Sequence, residues 1–319
     1  MIVTVTANAA LDRTLLVPNF QAGHRHRASA ASTSAGGKGI NVARSLKRLG
    51  VPVVCTGLAG GRAGNQVVER LTSEGLLNDF VQIRGESRTS TAVIDPTSTV
   101  STEINEWGPE VDEQELVMLR EKLAYLSQGA DYVVFSGSLP RGVDDGLYAE
   151  LIRSVAKNGV RTVIDADGES LRFALAAEPT LTSPNQREAE PLVGHEFATV
   201  ADVEAGLEEI AKLGARSVLI TTADGCYALI REDRSESKLR VSTPQVDPVS
   251  AIGAGDALLA AYLAARVGEL PPAEALRTAV ATGSASVLEA GAGRFDPKQV
   301  NRIAAKITVE ELGATTAAA

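Results

Sequence analysis

Two glycine turns in this sequence each lead into a helix-like stretch, and each carries a charged side chain. In Gly253-Ala254-Gly255-Asp256 the charge is a carboxylate, and the following run, Ala257–Ala265, is apolar throughout. Glycines let backbone N–H groups approach a ligand with no Cβ in the way. The free N–H groups at a helix start attract an anion. A carboxylate beside such a hole could accept a hydroxyl proton while the hole takes the charge of an incoming phosphoryl group. The same four residues would equally serve as a glycine turn with Asp256 as a plain N-cap. In the second turn, Ala35-Gly36-Gly37-Lys38-Gly39-Ile40-Asn41, the charge is a lysine. It lacks the Ser or Thr after the lysine and the upstream glycine of a P-loop. Neither turn completes a dinucleotide fingerprint, since Leu258 stands at the third glycine position of the other. Two readings stay open: a turn close to a polar ligand, with Lys38 and Asn41 as donors, or a plain loop.

The elements that must carry these turns follow from periodicity. Ile2–Thr6, Pro52–Leu58, Asp131–Ser136, Arg161–Asp165 and Ser217–Thr222 are short β-branched runs bounded by turn residues, and read as buried strands. Helical patterns lie between them: Ile40–Leu49, Val67–Glu74 stopping at Gly75, and Asp144–Lys157 stopping at Asn158-Gly159. Such alternation predicts an α/β fold, a mostly parallel sheet covered by helices on both faces. Arg13–Ser34 and Ser87–Trp107 break the rhythm. They are polar-rich and alternating, with a turn at Asp95-Pro96, and are expected to form antiparallel strands of a separate small sheet. His24 and His26 alternate with Arg25 and Arg27 like a strand with two polar faces. The segment 313–319 has no packing pattern and is expected to be disordered.

The 319 residues are 44% hydrophobic and 22% charged, with a formal net charge of −9. That balance suits a folded globular protein and argues against broad nucleic-acid or anionic-membrane binding. Cys55 and Cys226 sit in apolar stretches and read as small buried hydrophobes, with no disulfide framework. His24, His26 and His195 are too scattered for a histidine metal centre. The opening MIVTVTANAA lacks the basic and apolar regions of a signal peptide. Ala257–Ala265, the longest apolar run, is well short of the ~20 residues of a membrane span. A cytoplasmic location is expected.

Five motifs in register give the chain a resemblance to the phosphofructokinase B branch of the ribokinase-like sugar kinases. They are Asn8-Ala9-Ala10-Leu11-Asp12, Gly36–Arg44, Ser136-Gly137-Ser138-Leu139-Pro140, Asn185-Gln186-Arg187-Glu188 and Gly253–Asp256. The resemblance implies a three-layer ribokinase-like sandwich over 1–12, 35–86 and 107–312, with a small β-sheet lid from 13–34 and 87–106. It implies Asp256 as catalytic base and Gly253, Ala254 and Gly255 as the anion hole. Asp12, Gly37, Lys38 and Asn41 would meet the sugar. Arg88 and Ser138 would meet a phosphate already on the substrate, and an arginine fork suits a phosphate dianion. Arg27 matches a lid residue reaching toward a partner subunit's substrate, although a solvated lid charge explains it as well. Asn185 and Glu188 would organise Mg²⁺, often through water. Thr222, Gly225 and Ser284 would lie at the nucleotide, together with Asn185, Gly253 and Gly255.

The chain departs from the branch at several positions. Ala9 and Arg141 replace prolines. Ser183 stands where a lysine commonly meets a nucleotide phosphate, and Thr222-Ala223-Asp224-Gly225 replaces the usual Leu-Gly-x-x-Gly strand end. Ser250 stands where cation-dependent relatives often carry Asp, so no strong potassium requirement is expected. The activity implied is ATP-dependent phosphorylation of a phosphoketohexose, first fructose 1-phosphate, with tagatose 6-phosphate and fructose 6-phosphate as alternatives. A sugar-phosphate-binding regulator that has lost catalysis is a reading of a different class. A homodimer joined through the lid is a further expectation of the resemblance.

Overall fold

The structure is a computed structural model and describes residues 1–98, 100–232, 235–243, 246, 248–289 and 291–312. In chain order the first half forms β1 (Ile2–Thr6), β2 (Ala10–Leu16), β3 (Ala30–Gly36), α1 (Lys38–Arg48), β4 (Val53–Gly60), α2 (Gly61–Ser73), β5 (Leu77–Ile83), β6 (Arg88–Asp95), β7 (Val100–Asn105), α3 (Glu113–Leu126), β8 (Tyr132–Ser136) and α4 (Leu147–Ala156). The second half forms β9 (Arg161–Asp165), α5 (Gly168–Leu175), β10 (Leu181–Thr182), α6 (Gln186–Val193), α7 (Val200–Lys212), β11 (Ser217–Thr222), β12 (Gly225–Glu232), β13 (Ser235–Ser242), α8 (Ala254–Val267), α9 (Pro272–Ser286), α10 (Pro297–Ala304) and β14 (Val309–Glu311).

Among the described residues the large sheet has the order β14-β13-β12-β11-β10-β9-β8-β1-β4-β5. It is parallel from β5 to β11, and β12, β13 and β14 add antiparallel at one edge. Every residue of β1 and β8 is buried, as continuous apolar strands covered on both faces should be. One layer packs α1, α8 and α9 on Ile2, Cys55 and Val134, and the other packs α3, α4 and α7 on Val3, Val5 and Phe135. α8 is buried nearly all round, which its alanine-rich sequence permits. Both cysteines are free and buried, as expected.

The strand order reverses between β1 and its neighbours: the chain after β1 builds outward through β4 and β5, then returns to add β8 and β9 on the other side. The connections leaving the C-terminal ends of β1 and β8 feed helices of opposite layers, α1 and α4, and such a switch point marks the crevice where open α/β sheets bind ligands. β2, β3, β6 and β7 form a second sheet in the order β3-β2-β6-β7. It contains both polar-rich segments, although β2 and β6 pair parallel, and only the hairpin pairs β2–β3 and β6–β7 are antiparallel. The stretch with His24 and His26 is no strand; it is the loop joining β2 to β3. His26 turns back to the Gln21 backbone and packs at a tilt against Phe20, 5.2 Å between ring centres. Position 313–319, expected to be disordered, lies outside the described residues.

Candidate active site

The crevice at the reversal gathers charge from distant parts of the chain. Lys38, the first residue of α1, places Nζ 2.9 Å from Asp165 Oδ1 and 2.9 Å from Glu188 Oε1. Asp165 ends β9, and Glu188 lies in the first turn of α6. Glu188 is set there by a reciprocal capping box, in which Asn185 accepts from its N–H and Glu188 accepts from the Asn185 N–H. Burial opposes the lysine charge, but the facing carboxylates outweigh it and hold Lys38 protonated. Burial raises the Glu188 carboxyl above the ordinary glutamate range.

Asp256 opens α8 and is buried. Its Oδ2 accepts a 2.9 Å hydrogen bond from the Asn41 side-chain amide. Burial, reinforced by the negative charge of Asp165, pushes its carboxyl well above the usual carboxylate range. Gly253 has φ 80°, and a Cβ there would stand 2.6 Å from the Ala292 Cβ, so both conformation and space call for glycine. Gly255 is open on its outer side; of the first N–H groups of α8, which have no carbonyl partner within their own helix, that of Ala254 donates to the Ala251 carbonyl at 3.3 Å, a long bond that an anion could replace. The turn can hold an anion next to the carboxylate.

On the other wall Asn8, just past β1, donates through Nδ2 to Ser138 Oγ at 3.2 Å and to the Trp107 carbonyl at 3.1 Å. Its backbone oxygen accepts from Arg88 Nε at 3.2 Å. Arg88 and Ser138 are thus tied to one residue. Asp12, on β2, is two positions from Ala10, the register partner of Arg88. Burial raises the Asp12 carboxyl to about 6, against the pull of the Arg88 and Arg44 charges. A Cβ at Gly36 would fall 2.0 Å from the Asp12 Cγ, so the glycine makes room for this carboxylate.

The structure brings together Asp12, Gly37, Lys38, Asn41, Arg88, Ser138, Asn185, Glu188 and the Gly253–Asp256 turn around the crevice. Lys38 rests on the two carboxylates of Asp165 and Glu188. Arg27 stands exposed in the β2–β3 loop. Thr222 bonds to Asp224, and a Cβ at Gly225 would lie 1.9 Å from the Val241 carbonyl, so close strand packing accounts for that glycine. Ser284 bonds to Thr243 and to the Val280 carbonyl. Its neighbour Gly283 packs against the Ala254 carbonyl, 3.2 Å from an added Cβ, which puts this part of α9 beside the anion turn. Ser183 is buried, with its N–H on the Ile164 carbonyl.

Two participants were not foreseen. Asp165 ends an apolar strand, and its position there was the available signal. Asn8 opens the Asn8–Asp12 motif, whose spacing does not reveal its bond to Ser138.

The model of the pfkB family carbohydrate kinases matches residues 3–299, and the chain belongs to that family of enzymes. It is 32% identical to the 1-phosphofructokinase of Rhodobacter capsulatus over 98% of both chains. It is 27% identical to the tagatose-6-phosphate kinase of Staphylococcus epidermidis over 98% of this chain and all of the other. The crystal structure of phosphofructokinase-2 from Escherichia coli with fructose-6-phosphate superposes with a TM-score of 0.86 at 30% identity, covering 96% of this chain and 98% of that one. The fold is that of the ribokinase-like kinases.

Proposed function

We propose that this chain transfers the γ-phosphoryl group of ATP to the 6-hydroxyl of fructose 1-phosphate, with Asp256 as the base. The observation that carries the reading is the buried Asp256 carboxylate, held by Asn41 at the head of α8 beside a glycine turn able to take an anion. Its raised affinity for a proton suits a group that must take one from a hydroxyl. As the hydroxyl oxygen bonds to phosphorus, its proton passes to Asp256, the bond to the β-phosphate oxygen breaks and ADP leaves. The N–H groups of the Gly253–Gly255 turn stabilise the charge on the transferred group. Asp12 accepts hydrogen bonds from sugar hydroxyls, and Arg88 with Ser138 receives the phosphate already present.

Among the described residues no group of three or more His, Cys, Asp or Glu could hold a metal by itself. Asp165 and Glu188 nevertheless converge on a single cation, Lys38. Two carboxylates completed by substrate phosphates are the donor set that Mg²⁺ commonly takes. These two residues, directly or through water, would hold Mg²⁺ arriving with the nucleotide. When bound, it would neutralise phosphate charge. Asn185 positions Glu188, and Thr222, Gly225 and Ser284 border the nucleotide side.

The small sheet, with 13–34 and 87–106, acts as a lid that keeps water from competing for the phosphoryl group. Its outer strand β7 joins two copies as a homodimer, within which Arg27 reaches toward the partner.

The test is ADP release with Mg²⁺ and fructose 1-phosphate, fructose 6-phosphate, tagatose 6-phosphate or fructose. Fructose 1-phosphate is expected to give the highest kcat/KM. Asp256→Asn is expected to lower kcat by at least about 10²-fold while phosphosugar binding persists. A preference for tagatose 6-phosphate would reassign the substrate. Binding without turnover by the unaltered protein would make the chain a sugar-phosphate-dependent regulator.

A further inference from the structure

We propose that Arg44 is a positioning residue: clamped by Glu74, its guanidinium fixes the Asn41 amide so that the amide N–H faces Asp256. Arg44 follows Asn41 by one turn of α1, so the two side chains share a face. Arg44 Nη1 donates to Asn41 Oδ1 at 3.2 Å. Its Nε and Nη2 donate to the two oxygens of Glu74 at 2.7 and 3.1 Å, a fork-to-fork pair. Nη2 also donates to the Ala35 carbonyl at 3.0 Å, just before Gly36-Gly37.

A guanidinium has donors only. The Asn41 atom facing it must therefore be the carbonyl oxygen, which leaves the amide nitrogen facing Asp256. Turned over, the amide would set a donor against Arg44 and an oxygen against the Asp256 carboxylate, losing both hydrogen bonds. Gly293 closes over the arginine stem. A Cβ there would stand 2.9 Å from the Arg44 Cβ and 3.1 Å from its Cδ, so the loop leaves the stem little freedom. Glu74 caps the end of α2. The arrangement thus links a surface carboxylate to a buried one through two side chains.

The inference rests on reading Asp256 as the base, and Asp256→Asn tests that reading first: if turnover survives it, the base assignment fails before Arg44 is considered. The groups facing Asp256 are Asn41 and Lys38 from α1, Asp165 from β9 and Glu188 from α6. All of them are kept in the Arg44 variants, which are read by kcat against pH and by KM. For Arg44→Met, kcat is expected to fall about 10²-fold through misplacement of the base, with KM for ATP little changed. The acid limb of kcat is expected to move up by about one pH unit, because a hydrogen bond favouring ionised Asp256 is lost.

Arg44→Lys keeps the charge without the fork and is expected to behave like Arg44→Met. Wild-type behaviour of Arg44→Lys would show that charge alone matters and overturn the proposal, as would an unmoved acid limb in Arg44→Met. If Arg44→Met does not fold, Glu74→Ala, at an exposed position, carries the test. A raised acid limb there supports the clamp, and an unmoved one overturns it.

Discussion

Under the proposed function Asp12 meets the sugar as an anion, yet it is held in surroundings that disfavour the charge. Its proton is held up to about 6, from 3.8, chiefly by burial. The folded state therefore binds that proton more tightly than the unfolded chain does. The resulting stabilisation is complete below about pH 4 and lost as pH rises through 6, so at neutral pH the ionised carboxylate is a net cost. Asp12→Asn removes the charge and keeps the shape. It is expected to raise stability at pH 7 by about 1–2 kcal/mol after allowance for partial solvent screening, with no gain at pH 4. The same variant should lose most of its sugar affinity, since an amide presents one acceptor oxygen where the carboxylate presents two. Denaturant melts at the two pH values check the first part, and a phosphosugar titration checks the second. An unchanged melt at pH 7 would mean that Arg88 and Arg44 already neutralise the cost.

Between elements, the decisive contacts are close approaches in which an added Cβ would displace a neighbouring group. Gly36 ends β3 opposite Ala10, and any Cβ there would overlap the Asp12 carboxylate. Gly36→Ala needs no unusual backbone, so it should melt near the wild-type temperature while kcat/KM for the sugar falls about 10²-fold. Normal turnover by Gly36→Ala would show that Asp12 does not depend on that contact. The glycines and the apolar runs made much of this architecture legible in the sequence: β1, β8, β9 and β11 are dense apolar stretches, and the turns before α1 and α8 announce themselves. What escaped was set by pairing across the chain. β10 is two residues long and exists only because β9 and β11 flank it. Asp165 reads in isolation as a turn acid, and it gains a task only when the sheet places it against Lys38, 127 positions away. The Asn41–Asp256 bond spans 215 positions. Arg44 was visible inside a motif, but its spacing alone does not reveal that Glu74 holds the far end of its fork. The polar pattern of 24–27 resembles a strand, yet backbone pairing is absent there and the chain folds back on itself.

At the scale of the whole molecule, the small sheet leaves an edge uncovered. β7 lies at the end of the order β3-β2-β6-β7, and all its residues are exposed. Val100 and Ile104 are 58% and 60% exposed, and Trp107, just beyond, is 81% exposed. An apolar edge strand of this kind invites pairing with another chain unless something covers it. Under the dimer reading the cover is the same strand of a second copy. Both ends of the sheet's connection to the crevice, Asp12 on β2 and Arg88 on β6, would then be steadied by the contact. Ile104→Glu places a charge in the middle of that edge. The wild-type protein is expected to sediment as a dimer and Ile104→Glu as a monomer. Because the small sheet carries Asp12 and Arg88 while Asp256, Lys38 and Glu188 lie on the large sheet's side, the variant should lose affinity for the phosphosugar far more than for ATP. Raising its concentration should restore both assembly and phosphosugar affinity by mass action. A wild-type monomer with full activity would remove the dimer from the proposal, and a dimeric Ile104→Glu would move the interface away from β7.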